Sequence, residues 1–230
     1  MSGDTKADWF ARGTAIIGLI VAIAAIIVPF YKDKADSQEA LSITATPETG
    51  GGILRLSNNM EKSRAIQIPW VITLSNTGKV KLSITSYSIQ KIEGQGISYF
   101  PGLDGGATDS TNSPFPFPQT LDAGESIAFR LHIGFLPTKE VGKILRNMLN
   151  EHGPVDYHSG FIALAKKGLT FYGGSASYQE FPNAGGTMVS IDSSSYKNDP
   201  IYKVSFISGR GNKFPIITSE TAAKWQLTRP

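Results

Sequence analysis

Two of the chain's three histidines stand close together, in the string His152, Asp156, His158. Imidazole and carboxylate are ligands that zinc and copper accept. Gly153 and Pro154 lie between them, and a loop of that kind presets no tetrahedral geometry. Ser159 follows His158, but an activated serine needs a base facing it across the fold, and no glycine elbow surrounds it. His132 alternates with Arg130 along an expected strand and reads as a surface residue on its outer face. Asp104, Asp109 and Asn112 offer oxygens without the spacing of a calcium loop. The Gly-Gly pairs at 51–52, 105–106, 173–174 and 185–186 are not followed by a helix start with Lys-Ser/Thr, so no phosphate-binding loop is indicated. Gly209-Arg210-Gly211-Asn212-Lys213 is a basic turn whose chemical prospect is a phosphate or lipid headgroup. With no cysteine, disulfides, zinc–thiolate sites and iron–sulfur clusters are excluded. The residue inventory therefore predicts no catalytic residue, no metal and no cofactor.

What must position these residues begins with an apolar run. Residues 13–31 carry no charge, and nineteen residues at about 1.5 Å each make a helix of roughly 28 Å, the thickness of a bilayer's hydrocarbon layer. Trp9 and Phe10 precede the run, and Phe30 and Tyr31 end it, as an interfacial belt requires. No small-x-small pair marks a signal-peptidase cut, so a retained signal-anchor is expected. Residues 1–12 are then a short tail, 13–31 a single transmembrane helix, 32–40 a linker and 41–230 the folded domain. Lys6 and Arg12 before the helix nearly balance Lys32 and Lys34 after it. The free amine tips the expected orientation toward an extracytoplasmic domain. Gly13 with Gly18, and Ala22 with Ala25, are small residues through which such a helix could self-associate.

Beyond the linker the dominant period is two. Ile66, Ile68, Trp70, Ile72 and Leu74 share one face of a strand; Pro69 predicts that it is an edge strand or broken there. Ile127, Phe129, Leu131, Ile133 and Phe135 share a face of another. In residues 80–89 the alternation changes phase, which predicts a bulge near Thr85–Ser86. Asn76-Thr77-Gly78 reads as the turn before it. Further strands are expected at 41–46, 53–57, 161–165, 169–172, 187–191 and 202–207. One amphipathic helix interrupts them, capped by Thr138, with Val141, Ile144, Leu145, Met148 and Leu149 as its apolar stripe and Gly153-Pro154 as its stop. A short terminal helix is expected at 219–227. Many short strands predict two sheets packed face to face.

The Gly102–Gln119 stretch reads as a long loop ending in Pro114-Phe115-Pro116-Phe117-Pro118. Prolines would hold Phe115 and Phe117 extended, which suits them to docking a partner; the other reading has both rings folded back over an open end of the sandwich. Net charge is +3 with both signs interspersed and no run of four Lys/Arg, so no nucleic-acid surface is predicted.

Two resemblances follow from these motifs. The Leu74-to-Gly78 strand end, the Leu82–Ile84 strand and Leu121-Asp-Ala-Gly-Glu125 before the next strand together resemble immunoglobulin-like β-sandwich modules of cell-envelope proteins, which implies a fold and no activity. Arg12-Gly13 before an apolar helix resembles a type IV pilin or archaellin N-terminus, although Gly18 stands where pilins carry a glutamate. The expected fold class is mainly β: an immunoglobulin-like β-sandwich with one short amphipathic helix, preceded by a single N-terminal transmembrane α-helix. The expected function is a non-enzymatic, membrane-anchored interaction or accessory protein of the cell envelope. Its partners are the lipid bilayer and another protein or a second copy. A pilin-like filament subunit and a membrane-tethered hydrolase are the alternatives.

Overall fold

The computed structural model describes residues 19–23, 25, 27–29, 37–57, 64–181 and 185–220. Among the described residues no helix is long and apolar enough to cross a membrane. Most of the expected span 13–31, Gly13 included, lies outside them, as do residues 221–227 of the expected terminal helix. The described residues from 19 to 29 are helical.

The protein is mainly β, built of antiparallel sheets. The first sheet contains β1 (Leu41–Pro47), β2 (Ile53–Leu56), β3 (Ile66–Asn76), β6 (Asp104–Thr108), β8 (Ser126–Phe135) and β9 (Val155–Asp156). Its order is β6-β8-β3-β2-β9, with β1 also paired to β3. The second contains β4 (Leu82–Glu93), β5 (Gly96–Ser98), β7 (Gln119–Leu121), β12 (Ile201–Ser208) and β13 (Lys213–Thr218), in the order β13-β12-β4-β5 with β7 also on β4. A separate hairpin pairs β10 (Ala176–Phe181) with β11 (Gly186–Ile191).

Alternation decides what each strand buries. Ile66, Ile68, Trp70, Ile72 and Leu74 of β3, with Phe129, Leu131, Ile133 and Phe135 of β8, form one wall of the core. Leu82, Ile84 and Ile89 of β4, with Tyr202, Val204 and Phe206 of β12, form the other. Trp70 meets Tyr202 edge to face at 6.1 Å, and Phe129 meets Phe206 at 6.1 Å, so aromatic rings knit the two walls together. Each such side chain, fully buried, contributes about 1.5–3 kcal/mol. The phase change in β4 is a bulge: Ile207 pairs with Ser86 but Ser208 pairs with Ile84, leaving Thr85 as the extra residue.

Pro69 does not put β3 at an edge, contrary to expectation. β3 is central, with β8 along one side and β1 and β2 along the other. It is the neighbour that is broken. β1 ends where Pro47 pairs with Trp70, and β2 pairs with β3 only from Arg55, opposite Gln67. The Pro69 carbonyl accepts from Glu48 N on that side, so the missing N–H also faces the gap, where it costs no ladder bond.

Residues 136–200, between β8 and β12, form an insertion. The predicted amphipathic helix is there as α1 (Lys139–His152), with Thr138 Oγ1 accepting from Val141 N at 3.4 Å. Val141 and Leu145 are fully buried, and Ile144, Met148 and Leu149 pack against the same core. A second helix, α2 (Tyr157–Ala165), and a 3-10 turn (Ser193–Asn198) accompany it, so one helix undercounts. The strand expected at 161–165 is part of α2. Asp156 caps α2 through Ser159 N at 2.9 Å, and Gly160 lets it approach Leu54, to which an added Cβ would come within 2.8 Å. Residues 169–172 make only an isolated bridge, Leu169 to Ser175.

The described part of the linker is fastened down. Ser37 to Ala40 run between two turns: Thr77 N and Gly78 N donate to the Ala40 carbonyl, and Arg210 Nη1 donates to the Ser37 carbonyl. The Glu39 side chain is 3% exposed and accepts from Ser208 Oγ at 2.6 Å and Asn212 Nδ2 at 2.7 Å.

Candidate functional site

The Gly102–Gln119 stretch is not structureless. It contains β6, paired with β8, and only then becomes the proline-rich crossing that returns the chain to the second sheet as β7. The crossing is well anchored. Asp109 Oδ1 accepts from Thr111 N, Thr111 Oγ1 and Ser113 N, and these bonds hold its carboxyl below the usual range. The backbone of Phe115 donates to Ala107 O at 3.0 Å. Phe115 lies flat on Phe129 with centroids 4.6 Å apart, and Phe117 packs on Phe129 at 5.8 Å and on Tyr87 at 5.5 Å. Both rings are half-buried and turned to the core at the sheet edge, while Pro114, Pro116 and Pro118 face solvent. The ring contacts are those of core cover, and the outward surface of the crossing is a proline ridge.

Beneath the crossing, on the outer face of the first sheet, lies a polar group that the sequence did not reveal. His132 is not a surface residue; it is 0% exposed. Its position opposite Pro69 puts it on the outer face as expected, but that face is itself covered. Arg130 Nε and Nη2 bind both carboxylate oxygens of Glu48, at 2.5 and 2.7 Å, drawing the β1–β2 loop over the sheet. Its Nη1 donates to Ser110 O at 2.7 Å and so also holds the start of the proline crossing. His132 Nε2 lies 3.1 Å from Thr108 Oγ1, and its Nδ1 has no hydrogen-bond partner among the described residues. Burial, with the positive charges of Arg55 and Arg130 nearby, pushes the imidazole down to about 4, so it is neutral at pH 7. Glu48 and Arg130 are separated by 82 positions, and no local pattern announces such a pair.

The other candidates do not assemble. His152 ends α1 in solvent, 3.9 Å from Glu151. Asp156 gives its oxygens to the α2 cap, and Ser159 Oγ donates to it at 2.7 Å. Among the described residues no three His, Asp or Glu side chains converge as metal ligands. Arg210 of the basic turn reaches Glu39 at 3.6 Å. A buried acid that sequence reading missed, Glu220, receives the Tyr157 hydroxyl. Burial raises the Tyr157 and Tyr172 phenols well above their ordinary value, and both stay protonated.

No protein-family model matches the chain, and no curated protein resembles it.

Proposed function

We propose that this chain is a non-enzymatic, membrane-anchored interaction protein of the cell envelope, presenting an immunoglobulin-like sandwich at the outer membrane–water interface. The observation that carries the anchor is the exposure of its apolar helical residues. Leu19, Ile20, Val21, Ile23, Ile27 and Val28 are 46–62% exposed, where a helix packed on a soluble core would bury one face. Hydrocarbon is the solvent such a surface fits. Strand order supports the immunoglobulin-like reading. β6-β8-β3-β1 facing β13-β12-β4 corresponds to strands D-E-B-A and G-F-C of that fold, with the 136–200 insertion between E and F. The ridge of Pro114, Pro116 and Pro118, backed by Phe115 and Phe117 on the core side, is one surface that a partner in the envelope would meet, and small residues in the anchor provide for self-association.

Alkaline carbonate washing of membranes tests the anchor. The full chain is expected in the pellet and a variant lacking residues 1–34 in the soluble fraction; release of the full chain by carbonate refutes the reading. Protease added to intact spheroplasts is expected to digest the domain. Protection there, with digestion only after lysis, reverses the orientation.

A further inference from the structure

The outer edge of β4 is interrupted. β12 runs along one side of this strand, but the other side is shared by two short strands that do not meet. β7 pairs with residues 82–84 and β5 with residues 91–93. Both run antiparallel to β4, so they occupy one line beside it. Between them the chain leaves the line after Ser98, travels through β6 and the proline crossing, and rejoins it at Gln119. Residues 85–90 of β4 are left without a strand on that side among the described residues, and no loop backbone bonds to them. At about 3.3 Å per residue the opening is roughly 20 Å long. Every second residue in it turns its N–H and C=O outward.

A groove of about 490 Å³ lies along this opening, lined by Tyr87, Gln90, Ile97, Tyr99 and Asp104 among others. Its rim is apolar and exposed, with Ile97 at 62% and Tyr99 at 71%. Its polar group is a carboxylate. Asp104 Oδ1 accepts from the Tyr87 hydroxyl at 3.0 Å and from Gly106 N at 2.8 Å, whereas Oδ2 has no partner and no cation pairs with this acid among the described residues. An unpaired main-chain edge, two apolar side chains and one negative charge together match an extended segment that carries a positive charge.

We propose that this interrupted edge is a strand-addition site for a short, extended, basic segment of a partner protein. It deepens the interaction reading above by naming the surface and the chemistry of the partner. The segment would complete the line from β5 to β7, its backbone pairing with residues 85–90, its Lys or Arg on Asp104, and an aliphatic side chain over Ile97 and Tyr99. The flanking strands close both ends, so a long foreign strand cannot pair along the whole edge.

The test uses the full chain in detergent micelles and two labelled pentapeptides, acetyl-Thr-Val-Arg-Ile-Thr-amide and its counterpart with Glu in place of Arg. The Arg peptide is expected to bind and to slow amide exchange at the outward-facing positions of residues 85–90 by at least about tenfold, because each gains a hydrogen bond. Asp104→Asn should weaken that binding about threefold, the worth of one exposed ion pair, and Tyr99→Ala should weaken it without altering the melting temperature. Equal binding of the Glu peptide, protection elsewhere than 85–90, or no binding of either peptide overturns the proposal. Protection of 85–90 that rises with protein concentration and needs no peptide also overturns it, and assigns the edge to a second copy. Carbonate extraction reads the anchor separately, so failure here leaves that result standing.

Discussion

The buried imidazole makes stability fall in mildly acidic solution, ahead of the carboxylates. His132 has a folded-state value near 4 against an ordinary value of 6.5. Between these two the unfolded chain binds a proton that the native state refuses, so acid favours unfolding. The contribution is fully present above about 6.5, is lost as pH falls toward 4, and changes no further below that. At about 1.4 kcal/mol per pH unit the whole gap is worth about 3 kcal/mol, of which about 2 kcal/mol is lost between pH 7 and pH 5. A domain holding about 5–15 kcal/mol in total registers that plainly. The assay is urea unfolding of the full chain at pH 7, 6, 5 and 4.5, beside His132→Gln, whose amide can keep the contact to Thr108 and cannot titrate. The difference between the two proteins should follow a single-proton curve, and the His132 ring resonance should titrate with a midpoint near 4. Parallel pH profiles for the two proteins would refute the reasoning, because they would place the acid sensitivity elsewhere.

Replacing Phe115 and Phe117 together by Ala should cost about 3 kcal/mol, less than two fully buried rings would, and calorimetry will show it as a lowered melting temperature. An unchanged melting temperature with a lost partner would assign the rings to docking instead. Gly134→Ala should destabilise by about 3 kcal/mol, because the added Cβ would lie 2.0 Å from the Gly102 carbonyl oxygen and backbone must shift to admit it. Glu39→Ala should cost about 2 kcal/mol and speed amide exchange at Thr77 and Gly78, which the docked segment now protects. Unchanged exchange there would mean that the Ala40 carbonyl holds the turns without help.

Features that depend on near neighbours in sequence were legible. Period two placed Ile66 to Leu74 and Ile127 to Phe135 on the core walls. The phase slip placed the bulge at Thr85, and the stripe after Thr138 placed α1. Features that depend on what lies opposite were not. Alternation says which face His132 occupies, but not that Glu48, from another strand's loop, is pulled across that face by Arg130. Pro69 carries a true restriction, and sequence cannot say that the neighbouring strand breaks where the N–H is missing. Residues 161–165 are apolar and short enough for a strand; Asp156 as a cap was the available signal for a helix. β13 is absent from the expected strands; it carries Pro215, which an edge strand tolerates, while Phe214 and Ile216 face inward. For the candidate edge, Ile97 and Tyr99 lie at the end of β5, Tyr87 on β4 and Asp104 on β6, and their convergence follows from the detour between β5 and β7.

If the chain is anchored as proposed, the fastening of Ser37 to Ala40 decides how the head would be mounted. With an anchor ending at Tyr31, only residues 32–36 separate the bilayer from a segment clamped between the 77–78 turn and Arg210. At no more than about 3.6 Å per residue, that stalk is shorter than roughly 20 Å. If the proposed anchor holds, a head on so short a connection would not swivel through a hemisphere as a loosely tethered one does. Under the proposed anchor its two clamping turns would stay toward the headgroups, and the strands would rise away from the membrane. The flank of β4 would then face along the membrane plane. A partner held in the same bilayer would meet that flank sideways at a nearly constant height, and two-dimensional encounter would raise its effective concentration without any added contact.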